Sequence, residues 1–229
     1  MSFDNTRTVV VGGSSGIGLA TAERIVEEGG EVVVAARGEE DRVAAAESLG
    51  DAASERYVDL ADPESVADCF DAVGDLDYLV CTAAYLPFGF DVSDDELQEA
   101  FDVKLLGYRR AAAAARERLP DDGAIVFVTG EASVDPDPTY FAAGVVNAAV
   151  ESLVRYLAVE YAPVRTSAIS PNVVDTFGMD EEAREDVAAS VPVGRVAEPE
   201  DVAEAVTFAL RNRNATGETF RVNGGARLV

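Results

Sequence analysis

The chain has no histidine, one lysine and only two cysteines among its 229 residues. Without histidine, no Ser-His or Cys-His catalytic pair can form. Cys69 and Cys81 are too few for a disulfide framework or a zinc site, and Cys81 sits in the apolar run DYLVCTAA, where a strand would bury it. No metal is expected. Also missing are a basic, apolar leader before Thr8 and an unbroken apolar run approaching the ~18 residues of a membrane span. These absences predict a soluble, cytoplasmic chain with no membrane partner.

Positive charge is scarce as well. Seventeen arginines and Lys104 stand against 43 acidic residues, for a net charge of -25. Such a surface repels nucleic acid and anionic membranes. Its acid-rich, lysine-poor composition resembles that of halophile proteins, whose salt-rich cytoplasm would screen the self-repulsion. A specific cationic partner is the other reading of the same surface.

With 48% hydrophobic residues, the length suits one α/β core, and a single domain over 1–229 is expected. Short β-branched runs at 8–13, 31–36, 56–60, 77–84, 124–130, 164–170 and 218–222 read as buried strands. Helical patterns lie between them at 17–29, 39–49, 63–73, 94–119, 140–161 and 199–211, several opening at Asp-Pro or Glu-Pro. This alternation predicts a Rossmann-type doubly wound parallel sheet of about seven strands with helices on both faces. No linker or repeat interrupts it. The alanines at 111–115 suit close helix packing, either within the core or against a second subunit.

The first strand runs through Gly12, Gly13, Ser14, Ser15, Gly16, Ile17 and Gly18 directly into a helix. Glycines allow tight turning and close backbone approach, and free N–H groups at a helix start favour a pyrophosphate. Its position in the first strand-helix turn of a βαβ unit makes this cluster a dinucleotide cradle rather than a bare turn.

That heptapeptide resembles the short-chain dehydrogenase/reductase family, and the resemblance continues along nearly the whole chain. Asp59, followed by Leu60, resembles the family acid that contacts adenine. CTAA, with Ala83, stands where the family has Asn-Asn-Ala-Gly after the fourth strand. Pro171-Asn172-Val173-Val174-Asp175-Thr176 resembles the segment that holds the nicotinamide amide, with Asn172 in place of Gly. ATGETFRVNGG at 215–225 resembles the C-terminal strand. The resemblance implies a nicotinamide cofactor, a small-molecule substrate and a homodimer or homotetramer assembled through helices 102–119 and 140–161 and the C-terminal strand.

Ala36-Arg37 ends the second strand, where an NAD site usually places an acid. A guanidinium there can hold a 2′-phosphate, so NADP is preferred over NAD, although Arg37 also reads as a solvated surface residue beside Glu39 and Glu40.

Family members that reduce carbonyls use Ser, Tyr and Lys, with an Asn on the preceding helix. Anchoring the pattern on Tyr140 puts Gly144 at the Lys position. Anchoring on NAAVESL instead puts Asn147 at the Lys position, Ala143 at the Tyr position and Gly130 at the Ser position, with every family spacing kept. In FDVKLLG the family Asn position is Lys104. It reads either as a cation facing the pocket or as a lysine whose stem packs along the helix while its ammonium reaches water.

Lys104, Tyr140 and Thr129 are the candidate catalytic residues, with Tyr85 and Glu131 as further donors near the vacated space. Each also reads as a packing or loop residue, and Thr129 should point to the opposite face of its strand. Gly12, Ser14, Ser15, Gly16, Ile17, Gly18, Arg37, Asp59, Leu60, Ala83, Asn147, Pro171, Val174 and Thr176 are the candidate cofactor residues. Two functions fit: an NADP-dependent oxidoreductase with a non-standard proton-transfer site, and a catalytically silent NADP-binding protein serving as redox sensor or assembly subunit. An isomerase, epimerase or lyase on the same fold is a remoter third.

Overall fold

The computed structural model describes residues 2–228. Seven strands form one sheet: β1 (Arg7–Val11), β2 (Glu31–Ala36), β3 (Ala53–Tyr57), β4 (Tyr78–Cys81), β5 (Ala124–Val128), β6 (Arg165–Pro171) and β7 (Thr219–Val222). Their order is β3-β2-β1-β4-β5-β6-β7 and every pair is parallel, as the alternating pattern predicts. Parallel neighbours need crossovers, and each is long enough to carry a helix back over the sheet.

The helices divide by face. α1 (Gly16–Glu27), α2 (Glu39–Leu49) and α8 (Pro199–Arg211) cover one side, while α3 (Pro63–Val73), α5 (Gly107–Arg116) and α6 (Phe141–Glu160) cover the other. Strand alternation supplies both cores. Ile125 and Phe127 of β5 join Tyr108, Val150 and Val154 on the α5/α6 side, whereas Val126 and Val128 join Ile25, Val206 and Leu210 on the α1/α8 side.

Three elements differ from the sequence expectation, the first being β3, which pairs over Ala53–Tyr57 where a strand was expected at 56–60. The helix expected over 94–119 is three pieces: α4 (Asp94–Ala100), a π turn over Phe101–Leu106, and α5. Ser93 opens α4 with a reciprocal capping box to Glu96, so this start was visible in the residues. The π turn inserts extra backbone without a proline or glycine inside it, so periodicity could not show it. α7 (Glu181–Ala189) was not expected at all. It buries none of its residues, and without an apolar stripe its only signal is the Asp180 N-cap, whose carboxylate accepts from the Ala183 N–H at 2.9 Å.

Residues 138–160 form the one helical stretch among the described residues that is long and apolar enough to cross a membrane, by length and composition only. In the sequence, Asn147 and Glu151 interrupt this apolar run. In the fold, Val146, Val150, Val154 and Leu157 are buried, and α6 packs on β6 and the π turn.

Candidate functional site

The strand order reverses at β1, which has β2 on one side and β4 on the other, and a crevice opens at the carboxyl ends of the strands. A cavity of about 570 Å³ fills it. Its lining begins at the β1–α1 turn and reaches β2 and β3 through Arg37, Asp59 and Leu60. It extends the other way to β4, β5 and β6 through Ala83, Thr129, Gly130, Pro171, Val174 and Thr176.

The β1–α1 turn is as tight as the glycines suggested. A Cβ on Gly18 would stand 2.0 Å from the Gly12 carbonyl oxygen, and one on Gly12, at φ +85°, would meet Thr82 Oγ1 at 2.5 Å. Only glycine permits this close approach. The Thr82 hydroxyl completes the turn by donating to the Val11 and Gly12 carbonyls at 3.2 and 3.1 Å. Ser15 stands at the N-cap of α1 without a side-chain hydrogen bond, and the first turn of the helix lines the cavity.

The chemistry of this donor set fits a nicotinamide dinucleotide. Free N–H groups and the positive end of α1 suit a pyrophosphate. At the β2 end Arg37 is exposed, and its guanidinium has no hydrogen bond or ion pair among the described residues. Asp59 Oδ1 accepts from the Ala61 N–H at 3.0 Å, which fixes the acid at the cavity edge. Asn147 is buried on α6 and does not itself line the cavity, and its Oδ1 has no partner.

The substrate end is poor in hydroxyls. A Cβ placed on Gly130 would lie 3.0 Å from Asn147 Nδ2, so the amide stands close over this position. Ala143 offers no donor. The Thr129 hydroxyl turns away, within 3.3 Å of the Ile169 carbonyl and 3.5 Å of Glu151 Oε1. That direction agrees with strand alternation and removes Thr129 as a donor to the cavity, although the residue lines it.

Two tyrosines expected near the vacated space are also elsewhere. Tyr140 is 40% exposed, lies just before α6 and packs edge-on against Phe88 at 5.8 Å. It does not line the cavity, because the DPDP segment keeps it out of α6. Tyr85 packs against the α5/α6 core instead. Glu131 is taken up in a buried polar cluster with Glu151. Arg221 of β7 donates to both carboxylates, at 2.7 and 3.4 Å, and Ser170, Ser133 and Asn223 donate to them as well. Buried carboxylates need such partners, and the cluster ties β7 to β5 and α6.

Lys104 remains. It lies in the π turn at 3% exposure and lines the cavity. Among the described residues it makes no hydrogen bond or ion pair. Burial lowers its pKa from the ordinary 10.5 to about 7. Arg37 and Asp59 are the other ionisable groups that line the cavity, and its apolar lining includes Ala83, Ala84, Leu86, Val103, Val128 and Phe177, the last 94% exposed.

The sequence did not single out Tyr108, which is fully buried on α5. Its hydroxyl donates to the Ala83 carbonyl at 3.0 Å and fixes the β4 loop. Its ring lies 4.9 Å from that of Phe127. Leu86 and Phe177, both on loops without periodicity, were missed for lack of any local signal.

The fold and cradle define a Rossmann-type dinucleotide-binding protein. The family follows from comparison with known sequences. The model of a family described as enoyl-(acyl carrier protein) reductase matches residues 11–227, and the chain belongs to the short-chain dehydrogenase/reductase family, whose members bind nicotinamide cofactors. The chain is 30% identical to a glucose 1-dehydrogenase of Gluconobacter oxydans, over 99% of this chain and 93% of that protein. It is 33% identical to 3beta-hydroxysteroid dehydrogenase 1 of Eggerthella lenta, over 97% and 94%. Among solved structures, a small-chain dehydrogenase in complex with NADPH has a TM-score of 0.85 and 33% identity, covering 99% of this chain and all of that one. Another short-chain dehydrogenase/reductase family protein has a TM-score of 0.92 and 34% identity over the full length of both.

Burial of an unpaired lysine has a measurable consequence for stability. The folded-state pKa lies below the unfolded value, so the folded protein carries a penalty that is full below about pH 7 and is relieved as pH rises toward 10.5. Lys104→Met removes it. Chemical denaturation from about pH 6 to pH 10 should show the variant more stable at low pH, by no more than about 5 kcal/mol, with the difference shrinking as pH rises. Parallel stability curves for the two proteins would contradict this burial.

Proposed function

We propose that this chain is an NADP(H)-dependent oxidoreductase acting on a small carbonyl or alcohol substrate, with Lys104 rather than a phenol facing the substrate oxygen. One observation carries the proposal: a buried, unpartnered ammonium shares a cavity with a glycine cradle fitted to pyrophosphate. Arg37, free at the β2 end, supports a 2′-phosphate and hence NADP over NAD. The NADPH complex among similar structures supports the same choice. The cofactor would supply or accept the hydride. The chain's part would be to hold it by the α1 N–H groups and Thr176, with Asn147 behind the cavity wall, and to present positive charge from Lys104.

The competing reading is a silent NADP-binding protein, a redox sensor or assembly subunit. The lack of any O–H group at positions 130 and 143 favours it. The proposal extends to a cytoplasmic, salt-adapted protein and to a homo-oligomer. Tyr156 and Val159 of α6 stand 75% and 80% exposed, a face suited to a second copy.

Fluorescence titration in molar KCl should show NADPH bound at least tenfold more tightly than NADH, with the preference lost in Arg37→Ala. NADPH oxidation by a panel of carbonyl compounds should fall at least a hundredfold in Lys104→Met. Tight binding without oxidation of any compound would favour the silent binder. Sedimentation should give a dimer or tetramer that Val159→Asp weakens, and a monomeric wild-type protein would remove the oligomer.

A further inference from the structure

We propose that Lys104 is a covalent site for aldehydes, its side-chain amine condensing with an alkyl or aryl aldehyde seated in the cavity to form a Schiff base. The inference goes beyond the proposed NADP(H) chemistry, since it uses the same cavity but asks for no hydride and no cofactor.

An amine attacks a carbonyl through its free electron pair, so a protonated lysine is inert toward it. An ordinary lysine, with a pKa of about 10.4, is neutral in about one molecule in 2,500 at pH 7. Lys104 stands in different surroundings. The π turn over Phe101–Leu106 carries it, and at 3% exposure it lines the cavity of about 570 Å³. Among the described residues no carboxylate pairs with its nitrogen to hold the proton there.

The acids of the surrounding elements are engaged elsewhere. Glu131 and Glu151 accept from Arg221, Asp102 of the same turn accepts from Gln98, and Asp59 at the cavity edge accepts from the Ala61 N–H. Burial without a counter-charge lowers the Lys104 pKa to about 7, so at neutral pH about half of the molecules carry the free amine.

The cavity also has room for the reaction partner. Its apolar lining includes Ala83, Ala84, Leu86, Val103 and Val128. Phe177 lines it while 94% exposed, so the cavity opens to solvent, where a small molecule can enter and water can leave. Alkyl and aryl groups suit these walls. An aldehyde is favoured over a ketone because its carbonyl carbon carries a hydrogen and crowds a buried amine less.

The condensation consumes no oxidant or reductant. The nitrogen lone pair adds to the carbonyl carbon and one N–H proton passes to the oxygen through water. The carbinolamine then loses its hydroxyl, together with the second N–H proton, as water, and a C=N bond remains.

The test traps that bond. The full chain, without added cofactor, is incubated near pH 7 with benzaldehyde or hexanal and sodium cyanoborohydride, which reduces the imine to a stable secondary amine, and the labelled sites are read by peptide mass spectrometry. Lys104 is the only lysine, so its peptide is unambiguous, and the N-terminal amine, with a pKa of about 8, is the internal reference. Folded protein should label at Lys104 at least tenfold faster than protein unfolded in urea, with both rates taken against the N-terminal amine. Lys104→Arg should lose the internal adduct and keep the terminal one. Glyceraldehyde, which is polar, should label Lys104 at least tenfold less on the same scale.

No adduct at Lys104 in folded protein, or equal rates in folded and unfolded protein, would overturn the covalent site. Glyceraldehyde labelling equal to that of benzaldehyde would overturn the apolar aldehyde class. NADPH oxidation is measured separately, and its absence would count against the oxidoreductase reading without removing a trapped adduct.

Discussion

Because all seven strands run in one direction, every strand-to-helix loop falls on the same edge of the sheet, and the site depends on that constraint. β1 lies between β2 and β4, so the loops leaving β1 and β4 diverge to opposite faces and a crevice opens between them. The depth of the crevice is set by how closely the backbone can fold there. Gly12 and Gly18 are in contact with each other and with Thr82, and no side chain could be added at either without moving the turn. The start of α1, the β4 loop and the cavity floor are therefore fixed together. Tyr108 adds a second tie to the β4 loop from the α5 side.

Behind the β5 end several polar side chains bond to one another rather than face the cavity. The carboxylates of Glu131 and Glu151, the hydroxyls of Thr129, Ser133 and Ser170, and the Arg221 guanidinium are joined to one another behind the β5 end. Buried polar groups satisfied among themselves hold the framework and do not reach a ligand. Lys104 and the Asn147 Oδ1 are outside this cluster, and neither has a hydrogen bond or ion pair among the described residues. In a chain of net charge -25 whose other basic residues are all arginine, the single lysine lies in the cavity and away from the acidic surface.

Much of this was legible in the residues. β-branched runs and Asp-Pro helix starts gave the strands and most helices, and the glycine turn gave the cradle. The family spacing assigned positions 130, 143 and 147, and in the structure Gly130 lies against the Asn147 amide. What could not be read depends on contacts far apart in sequence or on backbone that periodicity does not encode. Glu131 looked like a free acid because Arg221, its partner, is 90 residues away. Tyr140 looked one helical turn from the site, but α6 begins only at Phe141 and the phenol turns to Phe88. Lys104 was open between cavity and solvent because an unbroken helix was expected where a π turn occurs.

The central claim is that Lys104 is a buried, unpaired cation in the cavity. A single lysine makes it directly observable, since protein labelled with 13C-lysine gives one side-chain Cε signal to follow by NMR as pH is changed. A midpoint near pH 7 in the free protein is the predicted result. A midpoint at the ordinary lysine value would contradict the account.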